Sequence, residues 1–152
     1  MPEEKAGIKG RIAEIEYEQI MFSRCTIAHQ LYSGGLDGSL YLLMSRIDGQ
    51  GPMSITELSH ALRLDNSTLQ RQMTAAIKGG YLERIADPQG NVARTICLTA
   101  MGAQRLSDSR ALSTASLEQI LGDWSCADIE QFAKYLNRFN SSIEEYSEAK
   151  RA

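Results

Sequence analysis

One stretch of the chain carries polar side chains whose chemistry suits the edges of nucleic-acid bases. Between Asp65 and Gly79 the apolar residues recur at helical spacing, which places the polar residues together on the opposite side of one predicted helix. That outer face consists of amides, hydroxyls and two cations, at Asn66, Ser67, Gln70, Arg71, Thr74 and Lys78. Asn and Gln amides can bond adenine twice, and an Arg guanidinium suits guanine. No carboxylate interrupts the face, so nothing on it repels phosphate.

The same pattern also fits an ordinary amphipathic helix with a solvated polar side. The neighbouring elements therefore have to decide between the two interpretations. Ser54 and Glu57 have the spacing of a capping box, which predicts a short helix just before this one. Asp65 is a good N-cap for the polar-faced helix, and Gly79-Gly80 predicts its end.

After Gly80 the hydrophobic period changes from helical to alternating. Residues 81–85 and 94–98 alternate like strands, and Asp87-Pro88-Gln89-Gly90-Asn91 lies between them. This combination predicts a β-hairpin. Helix, turn, helix and hairpin, in that order, describe a winged helix-turn-helix, in which the second helix enters the major groove of DNA.

Long helices are predicted on both sides of this module. Residues 8–32 and 38–48 have helical spacing, Thr99 caps a helix that runs to about Gly122, and Ser125–Asp128 resembles a second capping box. The last helix carries an apolar seam at alternating spacings of three and four, typical of helices that pack against a copy of themselves. We expect a homodimer whose interface includes Ile8, Ile12, Ile129, Phe132, Leu136, Phe139 and Ile143.

Composition places the chain among ordinary globular domains. Its 152 residues are 43% hydrophobic and 23% charged, and no stretch approaches a membrane span. The polar, acidic N-terminus resembles neither a secretory signal nor a transit peptide, so we expect a cytoplasmic protein with no membrane partner. The net charge is −3, but residues 54–98 carry five basic and four acidic side chains and are therefore weakly positive.

Other chemistry has little support in the sequence. The three cysteines, Cys25, Cys97 and Cys126, have no close pair, and two histidines cannot build a His-rich metal centre. Nucleophile-elbow, Walker and dinucleotide-binding motifs are absent. We therefore expect neither an enzyme nor a metal or cofactor. Cys126 is predicted to lie in the first turn of a helix, where the dipole favours a thiolate, so a cysteine-based redox switch stays open as an alternative.

Residues from about 36 to 110 resemble the MarR family of bacterial transcription regulators. The match runs without a gap through Ser54–Leu62, Asp65–Arg71, Gly80–Arg84 and Leu98–Gly102. The chain departs from the family at the wing tip, where the usual Asp and Arg fall on Gly90 and Val92. Asn91 or Arg94 could substitute there. Late in the polar-faced helix, the usual Leu-Glu pair is Ala76-Ile77, which suggests local repacking.

The resemblance implies a mainly α fold with a minor β part: a winged helix-turn-helix domain with N- and C-terminal dimerisation helices. Its expected divisions are residues 1–35, 36–102 and 103–152, the middle one binding DNA. The expected function is a sequence-specific transcriptional regulator, a repressor, acting on an inverted-repeat operator. The DNA-binding residues are then Asn66, Ser67, Thr68, Gln70, Arg71, Thr74, Arg84, Asn91 and Arg94.

The family often binds small anionic aromatic compounds between the dimerisation helices and the DNA-reading domain. By resemblance, Arg24, His29, Tyr32 and Tyr41 are the candidate effector residues, although tyrosines more often only pack. Some members sense peroxides through a cysteine in the first helix, where Cys25 lies rather late. A further alternative is a winged-helix module that binds proteins and has lost DNA binding. The near-neutral reading region and the altered wing leave that alternative open.

Overall fold

The structure, a computed structural model, describes residues 2–32, 36–87, 89–90 and 94–150, with side chains in the first helix described from 7 to 24. Within these ranges the element order is α1 (Pro2–Tyr32), α2 (Gly38–Gln50), α3 (Ile55–Leu62), α4 (Asn66–Lys78), β1 (Leu82–Ala86), β2 (Arg94–Leu98), α5 (Ala100–Ile120) and α6 (Cys126–Ala149). The chain divides into two compact units after Ser113, inside α5. The architecture is mainly helical with a two-stranded wing, as the sequence predicts.

The helices begin where side chains can satisfy their first amide groups. Asp37 accepts hydrogen bonds from the N–H groups of Ser39 and Leu40, both at 3.0 Å. The predicted capping box at α3 is confirmed, because Ser54 N–H donates to Glu57 at 2.7 Å and Glu57 N–H donates to Ser54 Oγ at 3.2 Å. These bonds replace partners that the helix itself cannot supply.

The turn between α3 and α4 is tight. Arg63 adopts a left-handed conformation with φ 54° and ψ 34°, and the Ser59 hydroxyl donates to the Leu64 carbonyl at 2.7 Å. Asp65 then caps α4. The short turn lets α3 brace α4, as a helix-turn-helix requires.

The wing is an antiparallel hairpin in which Leu82 pairs with Leu98 and Ala86 pairs with Arg94. Met53 extends it by one bridge to Ile96, through hydrogen bonds of 3.1 and 2.7 Å. The first strand begins at Leu82 and not at the predicted Tyr81. The Tyr81 N–H donates to Ala76 at the end of α4, and its carbonyl accepts from Thr99 N–H, so Tyr81 is held as a corner.

One apolar core joins α2, α3, α4, the wing and the start of α5. Its largest fully buried side chains are Leu43, Met44, Leu58, Leu69, Met73, Leu82, Ile96 and Leu106. Ser109, also buried, accepts a hydrogen bond from Leu36 N–H at 3.1 Å and ties α5 to the residues before α2. Burial of this cluster is the main favourable term for this unit.

The second unit is built largely from α6. Ser125 caps it by accepting from Asp128 N–H at 3.1 Å. The predicted capping box differs in its other half, because the shorter Asp128 side chain accepts from the Ser125 hydroxyl at 2.6 Å. Trp124 meets Phe132 edge to face with ring centroids 5.5 Å apart. In the described part of the chain, the helices are too short or too polar to cross a membrane.

Adjacent residues of α4 give a test of its orientation. Leu69 is fully buried and Gln70 is exposed. We expect Leu69→Ala to lower the free energy of unfolding by about 2–5 kcal/mol, because it leaves a cavity in the core. Gln70→Ala should change it by less than about 0.5 kcal/mol. Denaturant unfolding at one fixed protein concentration measures both, and similar losses for the two variants would contradict this orientation.

Candidate nucleic-acid interface

Helix α4 separates most of its apolar side chains from its polar ones; the exception is Gln72, which is half-buried. Leu69, Met73 and Ala76 are buried and Ile77 is half-buried. Asn66, Ser67, Gln70, Arg71, Thr74 and Lys78, the predicted outer face, are all exposed. Arg71 lies four residues after Ser67, so the two share one side of the helix. Thr68 is half-buried at the edge of this face.

Two hydroxyls on this helix, those of Ser67 and Thr74, already donate to nearby acceptors. Ser67 donates to the Asp65 carboxylate at 2.6 Å, and Thr68 N–H donates to the same carboxylate oxygen at 3.4 Å. Hydrogen bonds from the Ser67 and Thr68 side chains lower the pKa of the Asp65 carboxyl. The Thr74 hydroxyl donates to the Gln70 carbonyl at 2.8 Å. These hydroxyls can still accept hydrogen bonds, but their protons are engaged.

The larger polar side chains are different. In the described part of the chain, the side chains of Asn66, Gln70 and Arg71 make no hydrogen bond or ion pair. An amide offers both donors and an acceptor, and a guanidinium offers a fork of donors. These three side chains therefore keep their full bonding capacity for a partner outside the protein.

Two arginines of the wing lie on one face of the hairpin. Arg84 pairs with Ile96, Arg94 pairs with Ala86, and both arginines are exposed. With the first residues of α3 they line a cavity of about 230 Å³ formed by Ser54, Ile55, Thr56, Arg84, Arg94 and Ile96. The first amide groups of a helix point outward at a positive dipole end. The capping box already uses the N–H groups of Ser54 and Glu57 and places the Glu57 carboxylate at this end of α3, so the two guanidinium groups are what suit the cavity to an anion.

The wing tip is described only in part. The Asp87 carboxylate accepts from Gln89 N–H and its carbonyl accepts from Gly90 N–H, both at 2.9 Å. Gly90 has φ 81°, a left-handed conformation that favours glycine. Asn91, a predicted DNA-binding residue, lies outside the described residues.

Known proteins resemble this chain over most of its length. The uncharacterized HTH-type transcriptional regulator YxaD of Bacillus subtilis (strain 168) is 32% identical over 132 residues, covering 85% of this chain and 92% of the relative. The chain belongs to the HTH-type transcriptional regulators. No protein-family model matches it.

Solved structures of MarR-family proteins share the fold of this regulator. A MarR family protein from Bacillus stearothermophilus superposes with a TM-score of 0.72 at 18% identity, covering 89% of this chain and 96% of that one. Wild type MarR from E. coli, in apo form, gives 0.66 at 16% identity over 86% and 95%. The PcaV regulator from Streptomyces coelicolor, solved in complex with its natural ligand, gives 0.68 at 12% identity over 84% and 92%.

The predicted effector residues of the regulator are only partly described. Arg24 is exposed on α1 and Tyr41 is half-buried on α2, whereas the side chains of His29 and Tyr32 lie outside the described residues. The structure adds two residues near Tyr41 that sequence reasoning missed. Arg110 of α5 donates to Asp48 at 2.7 Å, and its hydrogen bonds to Asp48 and Tyr41 raise the pKa of the Arg110 guanidinium. The two partners are 62 positions apart, so local spacing could not reveal them.

The cysteines of the regulator differ in environment. Cys97 lies on β2 opposite Glu83, where burial and the nearby carboxylate raise the pKa of its thiol. That shift opposes formation of the reactive thiolate. Cys126 is exposed in the first turn of α6, and the side chain of Cys25 lies outside the described residues.

The cap of α4 predicts a pH dependence of stability. The folded pKa of Asp65 is lowered, so its contribution is complete above the unfolded pKa and is lost as pH falls through the folded value. Asp65→Asn keeps the side-chain shape but removes the charge. We expect the variant to be less stable at neutral pH and the difference to vanish in acid. Denaturant unfolding across a pH series checks this, and a constant difference would show that the charge has no role.

Proposed function

We propose that the chain is a homodimeric repressor that binds an inverted-repeat operator through α4 and the wing. The observation that carries the proposal is the outer face of α4, on which Asn66, Gln70 and Arg71 are exposed and keep free donors. These are the side-chain types that read adenine and guanine edges. A dimer bound across an operator blocks transcription by occupancy alone, so repression needs no further partner.

The two surfaces have different tasks in this proposal. Gln70 and Arg71 read base edges in the major groove, and Asn66, Ser67, Thr68 and Thr74 support them at the groove edge. Arg84 and Arg94 hold the DNA backbone, because their cavity at the N-terminus of α3 suits a phosphate. Asn91 contributes at the wing tip. The reading domain is then residues 36–102, between dimerisation segments 1–35 and 103–152.

Exposed apolar side chains support a dimer. Of the 24 residues of α6 none is buried, and Ile129, Phe132, Phe139 and Ile143 are 36 to 40% exposed on one side. On α1, every described side chain from 7 to 24 is exposed, including Ile8 and Ile12. Covering one large apolar side chain contributes about 1.5–3 kcal/mol. A second copy supplies the same surface in a two-fold arrangement, as most soluble homo-oligomers do.

A small aromatic or anionic effector is the remaining part of the proposal. Tyr41 and Arg110 place an aromatic ring and a cation together on neighbouring helices, and Arg24, His29 and Tyr32 are the further candidates from α1. The related fold of PcaV holds its natural ligand. An anion that competes with Asp48 for Arg110 would loosen the link between α2 and α5, which gives release from DNA a physical route.

Substitutions on α4 and on the wing test the DNA-binding proposal. Arg71→Ala and Gln70→Ala should each weaken operator binding by about 1–3 kcal/mol and blur preference at particular base pairs. Arg94→Ala should weaken binding to operator and scrambled duplexes alike and lower the slope of log affinity against log salt by about one per monomer. Titrations at several salt concentrations measure both effects.

Lys134→Ala is the control, since it removes an exposed positive charge from α6. It should leave both the affinity and the salt slope almost unchanged. Unchanged affinity after the loss of Arg71 would reduce the α4 face to solvated surface and favour a module that binds proteins. A footprint should cover two half-sites with centres about 10 bp apart.

Assembly is tested on α6. Phe139→Glu places a charge within the proposed interface and should convert dimers to monomers, because burying an unpaired carboxylate is costly. Ser141→Glu adds the same charge on the opposite side of the helix and should leave dimers intact. Sedimentation at micromolar concentration distinguishes these states. A monomeric wild-type protein, or a dimeric Phe139→Glu variant, would contradict the proposed interface.

A further inference from the structure

The ends of four elements meet at one corner of the first unit. Helix α4 ends at Lys78, β1 begins at Leu82, β2 ends at Leu98 and α5 begins at Ala100. Three residues connect α4 to β1, and Thr99 alone connects β2 to α5. The corner therefore joins the helix that carries Arg71 to the hairpin that carries Arg84 and Arg94.

The connection after α4 is fixed by its own backbone. Gly80 N–H donates to the Ile77 carbonyl and Tyr81 N–H donates to the Ala76 carbonyl, both at 2.9 Å. Gly80 has φ +77°, which a residue with a side chain rarely adopts. These bonds reverse the chain but leave the carbonyl groups of Gly80 and Tyr81 for another partner.

Thr99 supplies that partner with both its side chain and its backbone. The Thr99 hydroxyl donates to the Gly80 carbonyl at 2.5 Å, and Thr99 N–H donates to the Tyr81 carbonyl at 3.1 Å. The same hydroxyl accepts from Gly102 N–H at 3.0 Å and so caps α5. One half-buried hydroxyl group thus joins the start of α5 to the end of α4.

The start of α5 packs closely against the turn. A Cβ atom on Gly102 would lie 2.0 Å from the Tyr81 carbonyl oxygen, so a side chain does not fit there. Backbone of α5 therefore lies directly against backbone of the turn. Close packing of this kind transmits displacement because it cannot absorb it.

We propose that Thr99 is a positioning residue for DNA binding: its hydroxyl sets the direction of the wing relative to α4. This inference rests on the proposed function. Arg94 lies four strand residues before Leu98, roughly 13 Å away at the rise of a β-strand. Leu82 and Ile96 stay packed in the core, so a change of angle at the corner tilts the outer end of the hairpin and displaces the Arg94 guanidinium. Simultaneous contact by Arg71 in the groove and Arg94 on the backbone requires this angle.

The test uses two substitutions of Thr99 in the full-length protein. Thr99→Val keeps the shape and the backbone bond to Tyr81 but removes both bonds of the hydroxyl. We expect roughly tenfold weaker operator binding, with the folded fraction unchanged at assay temperature. Thr99→Ser keeps the hydroxyl and should restore wild-type affinity. Thr114→Val is the matched control, since that exposed residue lies further along α5 and should have no effect.

A double-mutant cycle separates positioning from a general loss of stability. In the Arg94→Ala background, Thr99→Val should weaken binding by less than twofold, because the wing contact that it misplaces is already gone. An equal loss in both backgrounds would overturn the proposal and make Thr99 a merely structural residue. If Thr99→Val does not fold, Thr99→Asn replaces it in the cycle, since the amide oxygen still caps Gly102.

The outcomes also distinguish this inference from the proposed function. Loss of binding on Arg94→Ala without any effect of Thr99→Val would overturn the positioning role alone. An Arg94→Ala variant that binds as wild type would instead overturn the proposed wing contact on which the inference rests.

Discussion

The structure depends on the one-sided burial of α4. A helix that packs through a single stripe must leave its other side to solvent, and here Leu69, Met73 and Ala76 take the buried side. Three neighbouring elements hold that stripe in place: α3 braces it, the wing covers its end, and α2 closes the core. The outer face of α4 stays exposed because the contacts with the core are made by the opposite side of the helix.

Local bonds fix the junctions between these elements. Each connection has a local feature that fixes it: a capping box at Ser54 before α3, a left-handed residue at Arg63 between α3 and α4, and a glycine with positive φ at Gly80 between α4 and β1. Such features act within a few residues and leave few alternatives to the chain. The local preferences and the core therefore favour the same arrangement, which is how a sequence specifies one fold.

Local signals explain how much of the fold could be predicted. Capping residues and helical spacing predicted α3 and α4 with both faces of α4, and alternation predicted the wing to within one residue. The sequence placed the start of α1 at residue 8, whereas the helix begins at Pro2. Proline fits the first turn of a helix without breaking it, so it does not mark the end of a preceding loop. Contacts between distant positions had no local signal at all. The bridge from Met53 to Ile96 and the ion pair of Arg110 with Asp48 depend on the assembled core.

The candidate site shows the same limit in finer detail. Residue types predicted the polar face correctly, but they could not show which hydroxyls are already bonded. Ser67 and Thr74 donate to their own helix, so a count of polar residues overstates what α4 can offer to a base. The Gln70 and Arg71 side chains keep their donors and are long enough to extend away from the backbone. The face is thus divided into hydroxyls that are bonded locally and longer side chains that can reach outward.

Charge distribution gives a final constraint on how such a surface would work. The chain has a net charge of −3, to which residues 54–98 contribute +1 and the remaining residues −4. Most of the molecule therefore repels a phosphate backbone. At physiological salt that repulsion is screened beyond about 8 Å, whereas arginines in direct contact with a phosphate are hardly screened. Attraction is then confined to the few cations of α4 and the wing. A surface of this kind has little general affinity for DNA and gains most of its binding where base contacts add to the backbone contacts, so weak non-specific binding raises its selectivity. The net negative charge of the remaining residues is therefore compatible with the proposed nucleic-acid partner.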